Sequence, residues 1–178
     1  IPLSTGQLCN TAKSCRGSCN LKNTMAGPIH TNAIQTHVVR RFRNFNIKQI
    51  VPPNNGHKVA IVGAGPSGMS CAAFLRRFGI EVTIFEKESF AGGILAREIL
   101  PFRVPKEDVD FEVQMLKDIN VNFQFNKEIG KDFTVDSLLK DGYECVYLAF
   151  GKPDKINIPF PTEGAVTARE FLTDLNGI

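Results

Sequence analysis

The chain has 178 residues, 43% of them apolar, which is enough to bury a core in one domain, or in one domain plus part of a second. No apolar stretch approaches the roughly 18 residues a membrane helix needs, and no charged stretch followed by an apolar run marks a secretory signal, so we expect a cytoplasmic protein with no membrane contact. The net charge of +3 conceals an asymmetry, because residues 1–58 hold eight Lys/Arg and no Asp or Glu, whereas residues 59–178 hold thirteen against eighteen.

Residues 1–27 are rich in Gly, Ser, Asn and Cys without periodicity, and we expect a loop held by ligands rather than by packing. Chain position 1 is Ile1, so we also expect a sequence cut at its start. Cys9, Cys15 and Cys19 cluster here, while Cys71 and Cys145 lie isolated in apolar surroundings and read as small buried hydrophobes. An odd, uneven set argues against disulfides, and closely spaced cysteines in a cytosolic chain point to metal or redox chemistry. The Cys9-x5-Cys15-x3-Cys19 spacing matches no common zinc pattern, and His30 and His37 are not placed to complete one. Lys13, Arg16 and Lys22 beside these thiols would suit an anionic iron–sulfur cluster. The cations form no run and lack interleaved aromatics, which argues against nucleic acid.

From about Thr31 to Phe42, Ile34, Val38 and Phe42 recur at helical spacing, with Arg40, Arg41 and Arg43 near the negative end of the helix dipole. Gln35 shares a face with Val38, Val39 and Phe42; from the residues alone it reads as a core-edge amide bonded to backbone. Val51-Pro-Pro-Asn-Asn-Gly56 combines restricted residues with turn formers where the charge balance changes sign. We therefore divide the chain into a helical segment 1–51, a linker 52–57 and a second unit 58–178.

Lys58–Val62 is a β-branched strand, Met69–Phe78 reads as a helix stopped by Gly79, and Glu81–Phe85 is a second strand, giving a parallel pair with a right-handed crossover. Between them lies Gly63-Ala64-Gly65-Pro66-Ser67-Gly68, a G-x-G-x-x-G turn after a strand and before a helix. The first glycine permits the tight turn, the second admits a pyrophosphate to the backbone, and the third lets helix and strand pack. Glu86, 18 residues after Gly68, can accept a bond from a ribose hydroxyl, and its charge argues against a 2′-phosphate. The turn implies an adenine dinucleotide without deciding between FAD and NAD(P). Further on, Pro105 opens a helix through Ile119, and Val121–Phe125 and Cys145–Ala149 are strand candidates.

Two stretches carry family resemblances. Glu86-Lys-Glu-Ser-Phe-Ala-Gly92-Gly93 resembles the E-x5-G-G sequence of FAD-dependent enzymes with two dinucleotide-binding domains, and Ile99-Leu-Pro-Phe-Arg-Val-Pro105 resembles the I-P-x-F-R-L-P stretch of dihydropyrimidine dehydrogenases and of bacterial glutamate synthase small subunits, with the first proline displaced by one position. The run from Cys9 through Cys15, Cys19 and Gly27-Pro-Ile to Gln35 resembles the cluster domain of the dihydropyrimidine dehydrogenase family, whose first cysteine interval it shares; glutamate synthase small subunits have a shorter one.

The resemblance implies an α/β fold with a Rossmann-like FAD-binding half-domain, preceded by part of an all-α iron–sulfur domain and truncated at both ends. It implies FAD contacts from the Gly63–Gly68 turn, Glu86, Gly92, Gly93, Ile94, Arg103 and Ile129, and two [4Fe–4S] clusters, one ligated by Cys9, Cys15 and Gln35 and the other by Cys19. It further implies NADPH and FMN elsewhere in a full-length homodimer that relays electrons from NADPH through FAD and clusters to reduce uracil and thymine. A glutamate synthase small subunit, passing such electrons to another acceptor, is the alternative.

Overall fold

A computed structural model describes residues 1–45, 49–151 and 163–177; the parts of the expected 58–178 unit at 152–162 and 178, and positions 46–48 of the helical segment, lie outside the described residues. Four parallel strands, β1 (Lys58–Val62), β2 (Glu81–Phe85), β3 (Asn122–Gln124) and β4 (Cys145–Leu148), form one sheet in the order β3-β2-β1-β4. Val62 pairs with Phe85 on one side and with Leu148 on the other. The chain thus winds outward in opposite directions from β1. At such a switch point the connections diverge and leave a crevice beyond the carboxyl ends of the strands. The fold is the expected α/β one, with a Rossmann-like half-domain.

Helix α3 (Pro66–Arg76) begins three residues earlier than the apolar periodicity suggests, because Pro66 is preorganised for the first helical turn. With α5 (Lys106–Asp118) it covers one side of the sheet, where Ile61, Met69, Ala72, Val82, Ile84 and Leu116 form the main core. The other side is thinner: Ala60, Val62 and Leu138 of α6 (Val135–Lys140) are buried there, with partly buried Phe85 and Tyr143 packed against them. Short α4 (Ile94–Arg97) follows the glycine pair, and α7 (Ala168–Leu175) comes last. Helices α4, α6 and α7 were not expected; α6 and α7 open on Thr134/Ser137 and Thr167/Glu170 capping boxes, a local signal in the sequence.

Residues 1–27, expected as a loop, are not one throughout. Pro2–Leu8 is a helix, α1, and Thr11–Lys13 and Asn20–Asn23 are 3₁₀ turns. Packing holds α1: Leu3 and Ser4 are buried, and Glu112 of α5 accepts the N–H groups of Leu3 at 2.7 Å and Ser4 at 3.0 Å as well as the Ser4 hydroxyl. A carboxylate 108 residues away thus caps the helix, which no local pattern encodes. One turn earlier on α5, buried Asp108 accepts from Arg40 at 2.8 Å and Arg43 at 3.1 Å, both on α2 (Thr31–Asn44), and from Gln7 at 2.9 Å. Cys145 is exposed, not buried as expected, because among the described residues β4 lies at the edge of the sheet. Among the described residues no helix is long and apolar enough to cross a membrane.

Arg76 locks the linker to the core. Fully enclosed at the end of α3, it donates to the carbonyls of Ile119 and Ile80, each at 2.8 Å, to Asn54 Oδ1 at 2.9 Å and to the Pro52 carbonyl at 3.3 Å. Arg76→Met keeps the apolar stem but leaves these buried acceptors unsatisfied. We expect it to destabilise the fold by about 3 kcal/mol, read as a lowered urea midpoint; an unchanged midpoint would mean that water replaces the guanidinium.

Candidate functional site

The crevice at the switch point is a cleft of about 720 Å³. Gly63, Gly65, Pro66 and Ser67 form one wall, with Ala149 beside Gly63; Glu86 and Lys87 form the end of β2, and Gly93, Ile94 and Arg97 a second wall; Ile129 also lines the cleft. Of the residues expected at a cofactor, the structure brings these two glycine loops, Glu86, Ile94 and Ile129 together. Arg103 does not line the cleft; it is exposed in the turn before α5. Ala64, Gly68 and Gly92 lie behind the lining, where they shape the backbone.

The glycines do different work. Gly63, at φ +108°, passes so close to β4 that a Cβ would lie 2.5 Å from the Ala149 carbonyl oxygen, and a Cβ at Gly68 would collide with the Gly63 carbonyl oxygen. Both are required to build the turn. At Gly65 a Cβ meets nothing nearer than the Gly93 Cα at 4.0 Å, and the backbone there is extended at φ −80°. Its missing side chain is not required for packing, so the vacant space belongs to the cleft, as a backbone approached by a pyrophosphate needs. The first-turn N–H groups of α3 lack intrahelical acceptors and carry the positive end of its dipole. A dinucleotide fits this arrangement.

Glu86 has an internal function beyond the expected ribose contact. Its Oε2 accepts the Ala64 N–H at 2.7 Å and its Oε1 the Glu88 N–H at 3.0 Å, tying the glycine turn to the loop after β2. Each oxygen retains a lone pair for a ribose hydroxyl. It does not pair with Lys87, which stands 3.7 Å from Glu88. At the rim Arg97 pairs with Glu88 at 2.7 Å and Arg169 with Glu98 at 2.9 Å, and Asn176 donates to the Arg97 carbonyl at 2.8 Å, so that α7 is moored to α4 beside the cleft. Arg97 and Arg169 carry no motif signature, and tertiary contacts of this kind bring them to the site.

In the amino-terminal segment Cys9, Cys15 and Gln35 are exposed and Cys19 is half-buried. Hydrogen bonds from the backbone N–H groups of Ile29 and Leu21 hold the Cys19 thiol below its ordinary range, which favours a thiolate able to bind metal. Among the described residues, however, no three Cys, His, Asp or Glu side chains stand together as a metal site, so they do not form a complete cluster ligand set. Burial first, and the neighbouring Cys145 second, push the Cys71 thiol up; it is suited to packing rather than reaction.

A family model described as an NAD(P)-binding Rossmann-like domain matches residues 61–126. The chain is 35% identical over 177 residues to the glutamate synthase (NADPH) small chain of Bacillus subtilis strain 168, which spans 97% of this chain and 35% of the relative. It is 31% identical over 153 residues to the corresponding small chain of Escherichia coli strain K12, 85% of this chain and 32% of that protein. The chain thus spans about a third of the length of these curated relatives. FprA from Mycobacterium tuberculosis, solved as a point mutant, shares the fold with a TM-score of 0.56 at 24% identity, over 68% of this chain and 28% of that one.

Two substitutions separate the cleft from the scaffold. Gly65→Ala should leave the melting temperature of the cofactor-free protein within about 2 °C and weaken the dinucleotide at least ~10-fold, whereas Gly68→Ala should cost about 3 kcal/mol of stability or more. Equal stability losses in both would place Gly65 in the scaffold. Glu86→Gln, which exchanges one acceptor for a donor facing a backbone N–H, should lower stability by about 1–2 kcal/mol even without cofactor. Calorimetry of the cofactor-free variant checks this; a loss seen only in the loaded protein would leave ribose binding as its whole role.

Proposed function

We propose that this chain is part of an NADPH-dependent iron–sulfur flavoprotein oxidoreductase and that its cleft holds FAD. The observation that carries the proposal is the meeting of Gly65 with Gly93: two loops approach backbone to backbone, and the open space above Gly65 can receive a pyrophosphate. NAD(P) alone would need only the first loop. The second, Gly92-Gly93, continues the same surface away from the adenosine end, as a longer dinucleotide requires.

The chain's own residues bind and orient. The Gly63–Gly68 turn and the first turn of α3 would hold the phosphates, Glu86 a ribose, and Ile94 and Ile129 would exclude water from the apolar part of the ligand. FAD, when bound, accepts a hydride and passes electrons on singly. No side chain here is assigned as acid, base or nucleophile.

At finer grain we read the acceptor as uracil or thymine, as in the dihydropyrimidine dehydrogenase family. Cys9, Cys15 and Gln35 would ligate one [4Fe–4S] cluster and Cys19 another, and such clusters carry single electrons. Support comes from the cysteine interval, the position of Gln35 and the N–H groups on the Cys19 sulfur. Segments 1–51 and 58–178 would then be the cluster and flavin units, and Arg103 would reach the flavin only if its turn moved. NADPH, FMN and the pyrimidine would bind elsewhere in a homodimeric full-length protein. A second reading, electron delivery to an acceptor other than a pyrimidine, is favoured by the 35% identity to a glutamate synthase small chain across 97% of this chain.

The test is anaerobic NADPH oxidation by the full-length protein, with bound flavin and iron quantified and uracil, thymine or glutamine plus 2-oxoglutarate as acceptor. We expect FAD, iron and uracil-dependent turnover. Turnover only with the glutamine pair selects the second reading, and absence of FAD overturns the first. Gln35→Cys, which exchanges a neutral ligand for a thiolate, should shift a cluster reduction potential followed by electron paramagnetic resonance; an unmoved potential in both this variant and Gln35→Ala would remove Gln35 from the ligand set.

A further inference from the structure

The glycine fingerprint assigns nothing to Tyr147, yet β4 delivers it to the phosphate end of the cleft. Tyr147 pairs in register with Ile61, and Val146 with Ala60. Ile61 belongs to the core beneath α3, whereas Ala60 and Val146 pack on the α6 side. Side chains alternate along a strand and paired residues share a side, so Tyr147 stands on the α3 side of the sheet. There its hydroxyl lies 3.0 Å from Ser67 Oγ. Ser67 follows Gly65 and Pro66 at the start of α3 and lines the cleft; Tyr147, itself 40% exposed, does not.

A serine hydroxyl has one proton to give and two lone pairs to accept with. If Ser67 donated to Tyr147, it would present only lone pairs to the cleft, facing an anion. A phenol is the more acidic hydroxyl and the better donor of the two, and the reverse orientation leaves the serine proton free to point outward. The geometry points to a directed pair: Tyr147 Oη–H donates to Ser67 Oγ, and Ser67 Oγ–H donates to a phosphate oxygen of the bound dinucleotide. Each bond polarises the next, so the serine becomes a stronger donor than it would be alone. Tyr147 is a positioning residue, acting on the ligand through Ser67. This rests on the reading that the cleft takes a dinucleotide through its pyrophosphate.

The test is FAD titration into the cofactor-free, full-length protein and into Ser67→Ala, Tyr147→Phe and the double variant, with melting temperatures recorded to monitor folding. Ser67→Ala should weaken FAD about 10-fold and Tyr147→Phe roughly 3-fold or more, and the double variant should be no weaker than Ser67→Ala, because Tyr147 has nothing to act through once the hydroxyl is gone. Ser67→Thr, which keeps a hydroxyl, should retain most of the affinity. The phosphorus resonances of bound FAD should move in Tyr147→Phe, a change that a clasp between β4 and α3 would not produce. Unchanged FAD affinity in Tyr147→Phe, or an equal further loss when Ser67 is already Ala, overturns the pair. Should Tyr147→Phe fail to fold, equal affinity in Ser67→Ala and Ser67→Thr overturns it instead. Failure of the parent protein to bind FAD overturns the assignment of FAD to the cleft and the proposed pair with it, which distinguishes it from the case in which the parent binds and the variants match it.

Discussion

The peptide of Ala64 is the point on which the site depends. Its N–H is taken by Glu86 at the end of β2, and its carbonyl accepts the Gly92 N–H at 2.8 Å. One buried residue therefore fixes the glycine turn to both segments that face it across the cleft. The consequence is mutual positioning: the turn cannot shift without moving the end of β2, and neither can shift without the Gly92-Gly93 loop. Buried backbone polar groups must find partners, and here the partners are the neighbouring walls of the site. A preorganised empty cleft costs less to fill than one that must be assembled by its ligand.

Helix α5 extends this constraint to the amino-terminal segment. One stretch of its surface presents Asp108 and Glu112, four residues apart, to α2 and α1. Val109, next in sequence to Asp108, packs under Gly92, where an added Cβ would lie 2.9 Å from its Cγ1. The helix is thus wedged between the cysteine-bearing segment and the wall of the cleft. Acidic side chains buried on the inward face of a surface helix are costly unless each is met by donors, and here Arg40, Arg43, Gln7 and the start of α1 supply them. A segment rich in cations and lacking carboxylates is the complement of that face. Its charge asymmetry, which suggested an anionic cluster, is used at least in part to dock on α5.

Much of the dinucleotide-binding unit was legible in the sequence because its determinants are local. The β-branched runs at 58–62 and 81–85 specify strands, the glycines specify a turn that other residues cannot adopt, and Pro105 with the acidic first turn specifies the start of α5. These fix the crossover, the switch point and hence the end of the sheet at which a ligand binds.

Tertiary structure decided what depends on residues distant in sequence. Helix α1 has no side-chain cap of its own and is stabilised by Glu112; Arg76, a cation at the end of a helix, is enclosed by four acceptors, two in the linker and the carbonyls of Ile80 just before β2 and Ile119 just after α5. Cys145 looked like a core residue because a strand's apolar content does not say whether it lies at the centre or the edge of a sheet. The order of the glycines in the motif already assigned the ligand approach to Gly65; what packing adds is the reason, since the Ala149 and Gly63 carbonyls exclude a Cβ at Gly63 and Gly68 while the Gly93 Cα leaves room for one at Gly65. Local pattern determines which elements form, because backbone preference and periodicity act over a few residues; the partners that satisfy buried charge, and the space left beside a glycine, are set only when those elements pack.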